Sequence, residues 1–277
     1  MAAARNACVI GWPAGHSRSP LIHGYWMRRY GIGGEYRKEA VRPEDFAAFV
    51  GSLAARGYAG ANVTLPHKEA ALALSRPDER ARAVGAANTL WLDDGVLRST
   101  NTDVEGFLAS LDAAAPGWDR ARTALVLGAG GAARGIVFGL LERGFAEVHV
   151  ANRSPARAQA LRARFGERVM PAAWPVSRDL LSCAGLVVNA TSLGMHGQPP
   201  LDLDLAPLRS DAVVADIVYV PLVTPLLTAA RARGLRTADG LGMLLHQAVR
   251  GFSLWFGVTP AVTPELRHVV EADLLAS

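Results

Sequence analysis

Lysine is nearly absent from this chain, although basic side chains are not. Of its 29 lysine and arginine residues, 27 are arginine, and Lys38 and Lys68 are the two exceptions. A guanidinium group keeps its proton near neutral pH, whereas a desolvated ammonium group can release it, so a retained lysine is a candidate for proton chemistry. Acidic residues number 25, which leaves a net charge of +4, and the basic residues are dispersed along the chain. That dispersion argues against a nucleic-acid surface.

Cysteines and long apolar runs are also scarce. Cys8 and Cys183 lie in apolar, strand-like segments and form no Cys-x-x-Cys pair, so we expect two buried free thiols and a reducing, cytoplasmic location. No apolar run approaches the length of a membrane span, and the first residues lack the pattern of a signal peptide, so we expect no membrane association. No cysteine and histidine cluster has metal-ligand spacing, so we expect no metal.

A glycine-rich stretch follows a short apolar run in the middle of the chain. Leu125 to Leu127 is typical of a buried strand, and the residues after it are Gly128-Ala129-Gly130-Gly131-Ala132-Ala133. This pattern is the dinucleotide-binding turn G-x-G-x-x-A. Its first glycine permits the tight turn, its second lets the backbone approach a pyrophosphate, and Ala133 lets the following helix pack closely on the strand. The pyrophosphate would then lie at the N-terminus of that helix.

The end of the next strand indicates which dinucleotide is bound. The apolar segment Glu147 to Ala151 leads into Asn152-Arg153-Ser154, with Arg157 close behind. Enzymes that use NAD place an acidic residue at this point to hold the ribose hydroxyls, and no acid stands here. Two arginines and a hydroxyl suit a 2′-phosphate, which favours NADP. The alternative is an ordinary solvated helix start, since Ser154-Pro155 would open a helix in any case.

Two serines near the N-terminus allow two interpretations. A first strand, Asn6 to Ile10, leads into a loop that contains Ser17 and ends in Ser19-Pro20, a good N-cap and first-turn pair for a helix. Ser19 could simply cap that helix. Alternatively, two hydroxyls and a helix N-terminus beyond a strand form a place where α/β proteins bind small anions. The residues alone do not favour either interpretation.

Lys68 and Asp103 each follow a strand and each lie in the first turn of a predicted helix. Pro66 opens the first of these helices, so the dipole of the helix opposes the charge of Lys68, which suits a proton donor. Asp103 could be an ordinary first-turn acid, since Thr102 and Glu105 form a capping box. The functional alternative pairs Asp103 with Lys68 across one cleft.

Strands and helices alternate along the rest of the chain. Leu186 to Asn189 is a predicted strand followed by a loop with Thr191 and Ser192, and the strand Val213 to Val218 leads into Tyr219. Both loops should lie at the cofactor edge of a parallel sheet. A long helix, Leu241 to Phe256, and a last helix from Thr263-Pro264 follow. The pattern predicts an α/β protein.

The chain resembles the shikimate dehydrogenase family over essentially its whole length. The motifs that carry this resemblance occur in the family's order: His16-Ser17-x-Ser19-Pro20, Asn62-Val63-Thr64-x-Pro66-x-Lys68, Gly85-Ala86-x-Asn88-Thr89, Asn101-Thr102-Asp103-x-x-Gly106, Gly128-Ala129-Gly130-Gly131-Ala132, Asn152-Arg153-Ser154 with Arg157, Asn189-Ala190-Thr191-Ser192, and Gly240-Leu241-Gly242-Met243-Leu244 with Gln247. Each motif is weak alone, but together and in order they are strong.

The resemblance implies a fold, an activity and a set of site residues. It implies two α/β domains, a substrate domain at 1–103 and a Rossmann-type NADP-binding domain at 104–239. The C-terminal helices at 240–277 would return to the substrate domain. It implies NADPH-linked reduction of 3-dehydroshikimate to shikimate on the route to chorismate and the aromatic amino acids. Ser17 and Ser19 would hold the substrate carboxylate. The ring would be lined by Thr64, Lys68, Asn88, Asp103, Gln247 and Tyr219. Besides the residues of the glycine-rich turn and of the loop after the next strand, the cofactor would meet Glu79, Thr191, Ser192, Ile217, Gly240 and Met243.

In the implied mechanism, Lys68 donates the proton, and Asp103 holds Lys68 and a ring hydroxyl in the right orientation. Three rivals remain open at this point: a quinate/shikimate dehydrogenase, an aminoshikimate dehydrogenase, and a non-catalytic NADP-binding sensor. One departure from the family pattern is Gly24, which stands where asparagine is usual. We expect a small-molecule substrate and no nucleic-acid partner, with a monomer or a homodimer.

Overall fold

The computed structural model describes residues 5–276, which form two compact units. The first unit contains the described residues up to Thr102 together with Gln247–Ala276, and the second contains Asp103–His246. The predicted segments 1–103 and 240–277 include residues 1–4 and residue 277, which lie outside the described residues. Within those described, no helix is both long and apolar enough to cross a membrane.

Twelve strands and eleven α-helices make up the described chain. The strands are β1 Asn6–Gly11, β2 Tyr36–Ala40, β3 Tyr58–Val63, β4 Arg76–Pro77, β5 Thr89–Asp93, β6 Val96–Thr100, β7 Thr123–Leu127, β8 Glu147–Ala151, β9 Val169–Ala172, β10 Leu186–Asn189, β11 Val213–Asp216 and β12 Arg236–Ala238. The helices are α1 Ser19–Arg29, α2 Phe46–Gly51, α3 Lys68–Ala73, α4 Glu79–Val84, α5 Asp103–Ala114, α6 Gly131–Glu142, α7 Pro155–Phe165, α8 Arg178–Cys183, α9 Pro225–Ala232, α10 Gly240–Phe256 and α11 Pro264–Leu275.

The sheet of the first unit is mixed. Its order is β2-β1-β3-β5-β6-β4; β5 runs antiparallel to β3 and β6, and the other pairs are parallel. The C-terminal residues belong to this unit because their aromatic side chains complete its core. Trp255 of α10 is 1% exposed, and its indole N–H donates to the Leu90 carbonyl of β5 at 2.8 Å. The expected return of the C-terminal helices is confirmed for Gln247–Ala276.

The sheet of the second unit is all-parallel, with the order β12-β11-β10-β7-β8-β9. Its central strands are almost entirely buried and mostly apolar, as is expected of parallel strands covered on both faces. The order reverses direction beside β7, and ligands of such sheets bind at the carboxyl edge near that point. The last residues of four strands lie in register there: Ala151, Leu127, Asn189 and Asp216. The predicted Rossmann-type sheet is confirmed.

Several predicted element bounds were wrong. The helix expected over Pro43 to Arg56 is a 3-10 turn at Pro43–Asp45 and the short α2, with turns to Gly57. The hydroxyl of Ser52 donates to the Phe49 carbonyl at 2.9 Å, and the Leu53 N–H bonds to Val50 instead, so the α-helical pattern ends. Likewise, α3 begins at Lys68 rather than Pro66, and β11 ends at Asp216 rather than Val218.

The two cysteines differ from each other. Cys8 is buried in β1, and burial raises the pKa of its thiol. Cys183 is exposed, so the prediction that it is buried was wrong. It is the last residue of α8 rather than part of a strand, and the helix turns its apolar side, through Leu181, toward the core.

Candidate active site

The glycine-rich turn has the geometry that its sequence predicts. Gly128 follows β7 with φ +103°, a conformation that a side chain rarely adopts, and a Cβ there would lie 2.9 Å from the Ala190 carbonyl oxygen. Gly130 is the N-cap of α6, and no atom of the described residues lies within 4 Å of the Cβ position of Gly130 or Gly131. The first N–H groups of α6 therefore face open space, which fits a pyrophosphate.

The loop after β8 carries two exposed arginines. Neither Arg153 nor Arg157 has a side-chain hydrogen bond or ion pair to another residue in the part of the chain that the structure describes. Ser154 is the N-cap of α7, but its hydroxyl makes no cap hydrogen bond, and the Asn152 amide donates to the Ser154 carbonyl at 2.9 Å. Two guanidinium groups and a hydroxyl are thus available, which fits a 2′-phosphate.

The loops after β10 and β11 are joined by buried polar contacts. Asn189 Oδ1 accepts from the Thr191 N–H at 3.0 Å and from the Thr191 hydroxyl at 2.7 Å, while its Nδ2 donates to Asp216 Oδ1 at 2.9 Å. Burial raises the pKa of Asp216 to about 6, against hydrogen bonds from Thr224, Val218 and Asn189 that lower it. Hydrogen bonds therefore join the ends of β10 and β11 next to the predicted cofactor loop.

The other predicted cofactor residues of the second unit lie near the same strand ends. Ala129, Ala132 and Ser192 flank the turn and the loop described above. Ile217 donates its N–H to the Asn189 carbonyl at 3.1 Å. Gly240 opens α10 against the Ile217 carbonyl so closely that no Cβ would fit, and Met243 packs against the core of the unit. Glu79, the first residue of α4, belongs to the first unit instead.

The serine loop lies before α1 in the first unit. The N-cap of α1 is Arg18 and not Ser19, which is the first helical residue, so the alternative in which Ser19 caps this helix was wrong. Instead, the Ser19 N–H donates to Ser17 Oγ at 3.2 Å. Because that oxygen acts as an acceptor, the proton of the Ser17 hydroxyl is free to point toward a ligand. The geometry thus favours the anion-binding interpretation of this loop.

Lys68 is half-buried, and the hydrogen bonds and packing of adjacent residues fix its backbone. His67 is 2% exposed, stacks on Phe46 with ring centroids 4.4 Å apart, and bonds through Nε2 to the Val41 carbonyl at 2.8 Å. The Lys68 carbonyl accepts the Ala87 N–H at 2.9 Å. Thr64, half-buried at the end of β3, donates its N–H to the Ile10 carbonyl at 2.9 Å. The backbone on both sides of the ammonium-bearing residue is therefore fixed.

Asn88 and Gln247 come together in the first unit. Asn88 Oδ1 accepts from the Thr102 N–H at 2.8 Å and from the Thr102 hydroxyl at 3.2 Å, so its Nδ2 is left to donate, and it reaches Gln247 Oε1 at 3.4 Å. The Thr102 hydroxyl oxygen also lies 3.5 Å from Gln247 Oε1, and its one proton serves either this oxygen or Asn88 Oδ1. Both amides are consequently oriented as donors, which suits the binding of hydroxyl or carbonyl oxygens.

Six predicted substrate residues share the first unit: Ser17, Ser19, Thr64, Lys68, Asn88 and Gln247. The other two lie in the second unit, where Asp103 opens α5 and Tyr219 is half-buried after β11. The expected pairing of Asp103 with Lys68 stays a prediction.

Sequence reasoning gave Asn189 and Asn62 no role beyond their motifs, gave Thr102 only its motif and a capping box, and gave Asp216 no role. Asn62 is 5% exposed and accepts the Tyr36 hydroxyl at 2.6 Å. Each of the four is a polar residue close to the end of a largely buried strand: Asn189 and Asp216 are the last residues of β10 and β11, Asn62 is the next-to-last residue of β3, and Thr102 follows β6 by two residues. That position was the available signal, because a buried polar group there must find a partner.

Three family models match successive parts of the chain. Their descriptions are shikimate dehydrogenase substrate binding domain for residues 9–90, shikimate/quinate 5-dehydrogenase for residues 114–195, and shikimate 5′-dehydrogenase C-terminal domain for residues 240–264.

Similar proteins match nearly the whole chain. A shikimate dehydrogenase (NADP(+)) from Nitrobacter winogradskyi is 69% identical over 271 residues, which are 98% of this chain and 97% of the relative. The crystal structure of shikimate 5-dehydrogenase from Thermus thermophilus in complex with NADP(H) and shikimate has a TM-score of 0.83 at 35% identity, covering 98% of this chain and 99% of that one. Quinate dehydrogenase from Corynebacterium glutamicum in complex with NAD has a TM-score of 0.89 at 32% identity, covering 97% and 99%.

Proposed function

The chain belongs to the shikimate dehydrogenase family, and on that premise we propose that it catalyses the reversible reduction of 3-dehydroshikimate to shikimate with NADPH. One observation carries this proposal: the groups that the first unit offers match the groups of the substrate. Serine hydroxyls suit the carboxylate, the donor amides of Asn88 and Gln247 suit ring oxygens, and Lys68 supplies an ammonium for the carbonyl oxygen. The reaction serves aromatic amino acid biosynthesis.

Lys68 handles the proton in this mechanism. NADPH, when bound, supplies the hydride for the carbonyl carbon. As negative charge develops on the carbonyl oxygen, the Lys68 ammonium stabilises it and then transfers its proton there, and in the reverse direction the neutral amine accepts that proton. Asp103 holds the Lys68 ammonium and one ring hydroxyl, so that the donor and the oxygen stay in register.

The remaining polar side chains bind and orient the ring. Ser17 and Ser19 donate to the carboxylate and so fix one end of the substrate. Asn88 and Gln247 donate to ring oxygens, with Thr64 and Tyr219 completing the contacts. Orientation matters because a reacting pair held in the right geometry reacts far faster than one that must find it.

The second unit holds the dinucleotide. The turn at Gly128 and the N-terminus of α6 bind the pyrophosphate, and Arg153 and Arg157, with Asn152 and Ser154, bind the 2′-phosphate. Thr191, Ser192, Ile217, Gly240 and Met243, with Glu79 of the first unit, contact the rest of the cofactor. In functional terms, 1–103 form the substrate domain, 104–239 the NADP domain and 240–277 the returning helices. The protein acts in the cytoplasm as a monomer or a homodimer. Light scattering after gel filtration measures this oligomeric state.

Initial rates of absorbance change at the NADPH band test the activity. Shikimate or quinate is supplied with NADP or NAD, in all four combinations, to the wild-type protein. The proposal predicts strong turnover with shikimate and NADP and at least tenfold lower kcat/KM in the other three. Comparable rates with quinate or NAD would instead assign the protein to the broader quinate/shikimate branch. Absence of turnover in every combination would contradict the proposal.

A further inference from the structure

A buried carboxylate connects the ends of two neighbouring strands in the second unit. Asp216, the last residue of β11, is 2% exposed. Its Oδ1 accepts the side-chain amide of Asn189 at 2.9 Å and the N–H of Val218 at 3.0 Å, and its Oδ2 accepts the Thr224 hydroxyl at 2.7 Å. All three donors are uncharged, so hydrogen bonds alone hold this carboxylate in place.

One of these bonds leads to the predicted cofactor loop. The Nδ2 group of Asn189 donates to Asp216 Oδ1 and also to the Leu193 carbonyl at 3.0 Å, so the other end of that amide, Oδ1, faces Thr191. Asn189 Oδ1 then accepts both the N–H and the hydroxyl of Thr191. Leu193 in turn donates its N–H to Thr191 Oγ1 at 3.0 Å. The orientation of a single amide therefore sets the conformation of the loop from 190 to 193.

A second bond leads to the segment that carries Tyr219. The N–H of Val218, directly before Tyr219, donates to the same Oδ1 atom that binds Asn189. A carboxylate oxygen only accepts, so both donors must point at it and neither can turn away without leaving an unpaired buried group. The third bond, from Thr224 to Oδ2, leads away from both loops to the N-cap of α9.

We propose that Asp216 is a positioning residue that holds the Thr191 loop and the Tyr219 segment in one fixed arrangement through its Oδ1 atom. The inference rests on the roles proposed above for Thr191 with the cofactor and Tyr219 with the substrate. Asp216 itself touches neither ligand and acts through Asn189 and Val218.

Three variants separate positioning from stability. Asp216→Ala removes both oxygens, and Asp216→Asn keeps an oxygen acceptor for Asn189 and Val218. Thr224→Val removes the bond at Oδ2 together with the N-cap hydrogen bond from the Leu227 N–H of α9, and neither of these bonds belongs to the two loops. The readouts are the NADPH dissociation constant from cofactor fluorescence without any ring substrate, kcat and KM for shikimate, and the melting temperature. Thr224→Val is the matched control, because it breaks a buried hydrogen bond of the same carboxylate without releasing either loop.

We expect Asp216→Ala to weaken NADPH binding and raise KM for shikimate by about tenfold each, since two loops lose a buried hydrogen bond to a charged group. Asp216→Asn should restore both constants to within about threefold of wild type. Thr224→Val should lower the melting temperature and leave both constants nearly unchanged.

Asp216→Ala with wild-type NADPH affinity and KM, and only a lower melting temperature, would overturn the inference. If that variant does not fold, Asn189→Ala breaks the same connection from the other side, and an unchanged NADPH affinity in Asn189→Ala would overturn it equally. The NADPH measurement needs no ring substrate, so it stays decisive even if the wild-type protein fails to oxidise shikimate.

Discussion

At the scale of single residues, the proposed preference for NADP rests on two exposed guanidinium groups. Arg153 and Arg157 follow the end of β8, where an NAD enzyme would have an acid and this chain has Asn152, and the structure pairs neither arginine with another described side chain. Each is therefore able to form charge-assisted hydrogen bonds with a 2′-phosphate, and such bonds contribute roughly 1.5–3 kcal/mol each.

We predict that Arg153→Ala raises KM for NADP by about tenfold to a hundredfold and leaves KM for NAD nearly unchanged, because NAD has no 2′-phosphate. Steady-state rates with both cofactors at saturating shikimate measure this difference. Arg162→Ala is the matched control, since it removes the same charge from α7 farther from the loop. Equal changes for NADP and NAD in Arg153→Ala would contradict the assignment.

Single residues also show how much of the candidate site could be predicted from the sequence. The roles proposed for Lys68 and Arg153 come from residue type and position in a motif, and the role of Ser17 comes from the family's motif. Asp216 also has an ionisable side chain, but its meaning depends on Asn189 and Thr224, which reach it only after the chain folds. In the sequence it reads as part of an apolar strand. Partners that are distant along the chain were thus the information that was missing.

At the scale of elements, the turn after β7 depends on one backbone conformation. Gly128 has φ +103°, and its Cβ position is 2.9 Å from both the Ala190 carbonyl oxygen and a methyl carbon of Thr191. A side chain there would push the turn against the loop after β10.

Gly128→Ala should therefore destabilise the protein by about 1–3 kcal/mol and weaken NADPH binding at least tenfold. Denaturant unfolding and cofactor fluorescence measure the two effects. Gly51→Ala serves as the control, because Gly51 lies in α2 without a positive φ and with nothing within 4 Å of its Cβ position. Wild-type stability and affinity in Gly128→Ala would refute the role given to this turn.

Most central elements could be predicted, but three edge or short strands were missed. β7 and β10 are apolar except for one terminal residue each, and β8 has buried valines at alternate positions, so the sequence indicates that these strands are buried. β9 contains Pro171 and lies at a sheet edge, β12 has three residues, and β4 has two. Such strands have no apolar pattern of their own and form because a neighbouring strand offers unpaired backbone groups.

At the scale of the whole molecule, the buried carboxylate makes stability depend on pH. Burial raises the pKa of Asp216 from 3.8 to about 6 in the folded protein. A raised pKa means that the folded state binds the proton more tightly, so the contribution to stability is full below about pH 4 and is lost as pH rises through 6. The difference of about two pKa units corresponds to about 3 kcal/mol at most.

Asp216→Asn removes this titration, because an amide carries no charge at any of these pH values. We predict that the unfolding free energy of the variant, relative to wild type, increases between pH 4 and pH 7 by up to about 3 kcal/mol. Urea unfolding of both proteins at several pH values measures this quantity. A relative stability that stays constant across the range would show that Asp216 does not titrate there.

The central claim for the molecule is that one of its two lysines moves the proton of the reaction. Lys38 is exposed and donates to the Gly15 carbonyl at 2.6 Å, whereas Lys68 is half-buried at the start of α3 among the predicted substrate residues. General acid catalysis contributes about 100-fold to 10,000-fold. Replacement of each lysine in turn therefore separates proton chemistry from the mere loss of an ammonium group.

The most direct test is kcat for shikimate oxidation at saturating NADP in the wild type, Lys68→Ala, Lys68→Arg and Lys38→Ala. We predict that Lys68→Ala loses about 100-fold to 10,000-fold in kcat with NADPH affinity nearly intact. Lys68→Arg should fail as well, since a guanidinium group does not release its proton, and Lys38→Ala should keep kcat within about threefold of wild type. Near wild-type kcat in Lys68→Ala would contradict the account.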